Sequence, residues 1–146
     1  MVEVLPNLWL GNKKDSFRQE LVNKMDLIVK CSKSEPIMKC SAEKIRVKID
    51  IIQDERQYKE NNIKFLKYVK KIVPHIHKKL LKRKNVLVCC EKGEQQSANI
   101  LLCYLIKYGK IDVNKAHDIL KSNYPTIFSP INYFEYTLKQ FIISNN

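Results

Sequence analysis

A thiol and a hydroxyl bracket the segment of this chain that can do chemistry, Cys89-Cys90-Glu91-Lys92-Gly93-Glu94-Gln95-Gln96-Ser97. The short apolar run Asn85-Val86-Leu87-Val88 leads into it, and a long apolar helical pattern, Ala98 to Ile106, follows. In a strand, glycine turn and helix of this kind, successive backbone N–H groups gather at the positive end of the helix and receive an anion, phosphate above all. Cys90 is the nucleophile such a loop could aim at phosphorus, and Ser97 is a hydroxyl within the first helical turn. Gly93 supplies the turn. Lys92 is the only cation of the loop, Glu91 and Glu94 flank it, and Gln95 and Gln96 are neutral amides.

The elements that must position this loop can be read from periodicity. Val2 to Leu5 and Leu8 to Leu10 form short strands separated by Pro6-Asn7, and Asp26 to Lys30 is a compact buried strand. Lys44 to Asp50 alternates apolar and polar residues, the period of a half-buried strand. Lys14 to Lys24 suits a helix, and Ile51 to Lys59 is a polar connection. Glu60 to Arg83 is helical, with Pro74 predicting a kink or two helices end to end. Three more helices follow the loop: Ser97–Tyr108, Val113–Ser122 and Asn132–Ile143. Gly109 ends the first of these and Asp112 caps the second, while Pro125 and Pro130 mark the loop before the third. Strands alternating with helices and closing in a helical cluster make an α/β fold, a short mixed sheet covered by helices on both faces. The 146 residues suit one domain, 1–146, and no internal repeat or linker interrupts it.

Composition narrows the function classes. A hydrophobic share of 45% is that of an ordinary globular protein. No apolar run is long enough to span a bilayer, and the first residues lack the basic and apolar regions of a secretory signal, so a cytoplasmic protein without a membrane partner is expected. The five cysteines are an odd number without Cys-x2-Cys spacing, which argues against a disulfide framework and against zinc; no metal and no cofactor are expected. Cys31 and Cys103 fit as buried small hydrophobes. The net charge of +12 favours phosphoproteins, nucleic acid or another anion, although lysines on helices also serve to solvate an outer face. No aromatic residues interleave with the basic ones, which places nucleic acid second. The Lys-, Ile- and Asn-rich composition also suits an AT-rich genome such as that of a large DNA virus, in which case the compartment is the host cell's.

Taken in order, the motifs resemble the dual-specificity protein phosphatase domain across essentially the whole chain. Val4-Leu5-Pro6-Asn7-Leu8-Trp9-Leu10-Gly11 is similar to the family's opening, and the strand ending at Cys31-Ser32 and the acidic loop at Val47–Asp54 follow in sequence. The signature loop and its helix come next, and Tyr124-Pro125-Thr126-Ile127-Phe128-Ser129-Pro130 closes the match. The resemblance implies a nucleophile at Cys90 that forms a thiophosphate, a hydroxyl at Ser97 that helps the thiolate leave, and a general acid at Asp54, with Asp50 and Glu55 as less well aligned carboxylates. Residues 91 to 96 correspond to the substrate-binding loop.

The same resemblance exposes departures. Gln96 stands where the family has the phosphate-binding arginine, so a bidentate cationic fork becomes a neutral amide. Losing an interaction aimed at transition-state charge costs ~10²–10⁵ in rate. Cys89 replaces the histidine before the nucleophile, and Ile131 stands where the family has asparagine. The resemblance therefore implies a catalytically impaired or inactive phosphatase homologue that binds a phosphorylated protein or a phosphate-like anion, as monomer or homodimer. The alternatives are a slow cysteine-dependent phosphatase and a protein that binds or dephosphorylates RNA 5′ ends.

Overall fold

The structure, a computed structural model, describes residues 1–145. Five strands form one sheet: β1 (Val2–Leu5), β2 (Leu8–Gly11), β3 (Leu27–Cys31), β4 (Glu43–Val47) and β5 (Val86–Cys89). Their spatial order is β1-β2-β5-β3-β4, with β1 antiparallel to β2 and every other pairing parallel. The helices are α1 (Lys13–Ser16), α2 (Gln19–Val22), α3 (Glu55–Leu81), α4 (Gln96–Gly109), α5 (Val113–Asn123) and α6 (Glu135–Ser144). This is the mixed α/β architecture expected from the sequence, with β5 and its loop at the centre of the sheet. No helix of the described residues is long and apolar enough to cross a membrane.

Strand alternation sorts side chains to the two faces. Leu27, Val29 and Cys31 of β3, with Val86 and Val88 of β5, join the large core under α3, α4 and α6. Ile28, Leu87 and Cys89 face the smaller cluster around Val22, Met25 and Ala42. Phe65 of α3 and Phe134 before α6 meet at a ring-centroid distance of 4.5 Å and are fully buried. Burying an aromatic ring of this size stabilises by about 1.5–3 kcal/mol. Asn62 ties the same two helices together, its side chain accepting from the backbone N–H and the hydroxyl of Thr137 at 3.0 and 2.7 Å.

Several element boundaries differ from the periodicity reading, each for a local reason. Residues 14 to 24 are not one helix, because Arg18 is extended between α1 and α2. The connection expected over 51–59 ends early: Asp54 caps α3, its side chain accepting from the Arg56 N–H, and the helix starts at Glu55. One helix then runs through Pro74, and two helices end to end are not formed. Proline removes one backbone donor, but Val69, Ile72, Val73 and Ile76 are buried on either side of it and hold the helix to the sheet. The last helix begins at Glu135, because the Asn132 side chain accepts the backbone N–H of Phe134 in a local turn instead.

Candidate functional site

Period-two alternation separates the two adjacent cysteines. Cys90, just past β5, faces the α4 side, and Cys89 faces the opposite layer. Cys90 Sγ lies 2.9 Å from the Ser97 hydroxyl in the first turn of α4, so the expected thiol–hydroxyl pair is formed. Between them the loop is pinned through its carbonyls. Lys13 N–H donates to Glu91 O at 2.9 Å, the Tyr124 hydroxyl to Lys92 O at 2.6 Å, and Phe128 N–H to Glu94 O at 2.9 Å. The Asn99 backbone and side-chain N–H groups both donate to Gln95 O. With those carbonyls engaged, no backbone N–H from Glu91 to Gln96 has a protein acceptor among the described residues. That leaves a row of donors at the start of a 14-residue helix, the arrangement that receives an anion.

Gly93 makes the turn possible. Its φ is +74°, and a Cβ there would lie 3.0 Å from Gly11 O and 3.1 Å from the Tyr124 hydroxyl. Gln95 is 4% exposed and holds the loop to the 130s segment, donating to Ile131 O at 2.8 Å and accepting from Tyr133 N–H at 3.0 Å. The outer support that Ile131 cannot supply comes from the next residue. Asn132 and Asn99 exchange side-chain hydrogen bonds of 2.9 and 3.0 Å, and Asn99 in turn donates to Gln95 O in the loop.

Gln96 occupies the arginine position and lines the cleft. Its Nε2 donates to Ile49 O at 3.1 Å, and the residue is 7% exposed. Lys92 lines the cleft and is exposed at its rim.

The cleft over the loop has a volume of about 730 Å³. Its side-chain charge works against the N–H row: Glu35, Asp50, Glu91 and Glu94 line it against Lys33 and Lys92. Glu35 is offset by Lys13 at 3.3 Å and Lys30 at 3.5 Å. Asp54, the expected general acid, is placed outside this lining. It serves as the helix cap, and hydrogen bonds from the Arg56 side chain and backbone hold its carboxyl below the usual aspartate range. A general acid must carry a proton to give, so this position favours the wrong form. The aspartate that does line the cleft is Asp50.

Two features near the loop carry no sequence signal. Lys30 is 1% exposed, and its Nζ donates to Ser16 Oγ at 3.0 Å and Pro36 O at 2.9 Å while lying 4.1 Å from the Phe17 ring centroid. It pairs in register with Cys89, where the family has histidine. Burial pushes the Cys89 thiol up to about 12, outweighing the nearby Lys30 charge. Cys31 lines the cleft, and burial first, then the neighbouring Cys90 and Cys89, raise its thiol well above the ordinary range.

The comparisons with known proteins agree with this fold. The family described as "Dual specificity phosphatase, catalytic domain" matches residues 8–142. Human dual specificity protein phosphatase 8 is 28% identical over 137 residues, covering 91% of this chain and 21% of the relative, so the chain spans about a fifth of that protein's length. Human DUSP28 has a similar fold, with a TM-score of 0.81 at 21% identity, covering 99% of this chain and 96% of that one. The human tyrosine phosphatase-like serine/threonine/tyrosine-interacting protein aligns with a TM-score of 0.79 at 16% identity, covering 97% and 95% of the two chains. With the loop, its thiol–hydroxyl pair and the surrounding sheet all in place, this chain belongs to the dual-specificity phosphatase catalytic-domain family.

Proposed function

We propose that this chain is a turnover-deficient phosphatase domain that holds a phosphate-bearing polypeptide at the Cys90–Ser97 loop without hydrolysing it efficiently. One observation carries the reading: the loop keeps its free N–H row, while position 96 offers it only a neutral amide, one N–H of which already goes to Ile49 O. The N–H row recognises the ground-state phosphate. The missing guanidinium is the group that gains strength as charge spreads over the transferring phosphoryl. Asp54, bonded to Arg56 at the cap of α3, does not offer a proton to a leaving oxygen, and Glu91 and Glu94 oppose a dianion. Binding is thereby weakened and catalysis weakened further.

Calorimetric titration with inorganic phosphate and vanadate, beside an aryl-phosphate assay of wild type and Cys90→Ser, tests this. Millimolar or tighter binding with turnover no higher than in the serine variant is expected. Turnover that Cys90→Ser abolishes would replace this reading with the slow-phosphatase one, which the 2.9 Å Cys90–Ser97 contact favours. In that case thiolate attack would form the S–P bond as the P–O bond to the leaving group breaks, and Asp50, the aspartate that lines the cleft, would protonate that oxygen. No anion binding at all would leave a scaffold.

A further inference from the structure

A second depression lies beside the cleft, with a volume of about 400 Å³, lined by Lys48, Ile49, Lys64, Lys67, Tyr68 and Lys71. Its walls are four exposed lysines and its floor is buried Ile49 with half-buried Tyr68. Lys64, Lys67 and Lys71 fall on one stripe of α3, at spacings that bring side chains to the same face over about 10 Å. Lys48 approaches from just beyond β4. No carboxylate lines the groove, and Lys48, Lys67 and Lys71 have no ion-pair partner among the described residues; only Lys64 has one, Glu60 at 3.5 Å. Four cations are thus held together against their own repulsion on a rigid helix, with nothing of this chain to neutralise three of them.

We propose that this groove docks an acidic segment of a polypeptide. Charge complementarity selects an anionic partner. The dimensions select an extended peptide, whose same-side side chains repeat about every 6.7 Å, so two or three acidic residues reach the stripe while the intervening ones rest on Ile49 and Tyr68. A single-stranded nucleic acid needs aromatic faces free for stacking, and the one aromatic residue here is half-buried in the floor. The chain also runs from the groove directly into the cleft. Ile49 floors the groove while its carbonyl receives the Gln96 amide, and the next residue, Asp50, lines the cleft. A polypeptide seated on the loop continues onto the lysines, which supply the positive charge that the cleft itself lacks. The groove acts independently of the loop, so an unphosphorylated acidic peptide tests it alone.

The test uses the full chain with a peptide of alternating glutamate and alanine, its glutamine–alanine counterpart, a single-stranded RNA oligonucleotide and phosphatidylserine vesicles. The glutamate peptide is expected to bind in a salt-weakened manner and to shift the amide resonances of Lys48, Ile49 and the 64–71 turn, while the glutamine peptide does not. Lys67→Glu with Lys71→Glu weakens binding on the order of tenfold. Lys84→Glu with Lys121→Glu, the same change in net charge at exposed positions elsewhere, weakens it far less. Lys67→Met with Lys71→Met gives the same ranking should charge reversal disturb folding. Equal losses in both lysine pairs would reduce the effect to net charge and overturn the proposal. So would absence of peptide binding at low salt, or tighter binding of RNA or vesicles through the same lysines. Loss of phosphate binding at the loop with retained peptide binding would count against the loop reading only.

Discussion

Position 96 lines the cleft, and an arginine there brings five N–H donors and a full charge where Gln96 has a neutral amide that donates to Ile49 O. Gln96→Arg is therefore expected to tighten phosphate and vanadate binding by about tenfold or more, the scale of a charge-assisted hydrogen bond to an anion. Calorimetry on both proteins measures it, and an unchanged affinity would mean that the loop N–H groups are not presented to the anion. Restoring the preceding histidine is a different matter. Cys89 is fully buried beside Lys30, so Cys89→His overpacks that layer and brings a second ionisable group to a buried cation. The buried thiols also make a pH prediction. Cys89 moves from the ordinary 9.0 to about 12 in the folded chain. Above about pH 9 the unfolded chain therefore releases thiol protons that the folded chain retains. The folded state then binds more protons, so stability falls as pH rises through that window. Urea midpoints that decline from pH 9 upward, and slow alkylation of Cys31, Cys89 and Cys103 relative to Cys40 in the folded protein, are the expected outcomes. The Cys90–Ser97 pairing was legible from spacing, and the family resemblance marked Gln96 as the departure. The placement of Asp54 was not, because an aspartate in an acidic loop looks the same whether it faces a cleft or caps the next helix.

At the scale of elements, the loop depends on supports that arrive from three directions: α1 through Lys13, the 124–128 segment through Tyr124 and Phe128, and the 131–133 segment through Gln95. Gly93 is where these supports meet the turn. Gly93→Ala puts a side chain at φ +74° and drives its Cβ toward Gly11 O, a backbone atom that cannot swing aside. A loss of about 1–3 kcal/mol is expected, together with weaker phosphate binding, read by urea unfolding and titration. Undiminished stability would show that the loop carries little of the fold. Strand and helix types were legible because β3 is a compact apolar run, β4 alternates at period two and α3 follows helical period. Two of the missed boundaries turn on single side chains that satisfy a backbone group, Asp54 at the start of α3 and Asn132 before α6, a competition that periodicity does not register. The shifted asparagine is the instructive case. Position-by-position comparison finds Ile131 and predicts a lost support, whereas the structure shows Asn132, one position on, joined to Asn99 and through it to the loop.

For the whole molecule, the distribution of charge matters more than its sum. A chain with net charge +12 presents, over its phosphate loop, a cleft in which carboxylates outnumber lysines, and gathers unpaired lysines in the groove next to it. Sequence alone supplied the sum and left open whether the lysines merely solvate helices; only the packing of β4 against α3 brings Lys48 to the α3 stripe. An excess of like charge on a chain this small also costs folded-state stability, because repulsion acts over about 30 Å at 0.01 M salt and about 10 Å at 0.1 M. The melting temperature is therefore expected to rise as sodium chloride is increased between those limits. At fixed ionic strength, millimolar phosphate should raise it further, since an anion that binds only the folded state stabilises by mass action. That increment belongs to the loop and should survive Lys67→Glu with Lys71→Glu, whereas the response to sodium chloride should shrink in the same variant because its net charge is lower. Calorimetric scans of the two proteins in matched buffers separate the effects. If the phosphate increment vanished with the lysines while the sodium chloride response stayed, the anion would be seated in the groove and the loop would be left without a ligand.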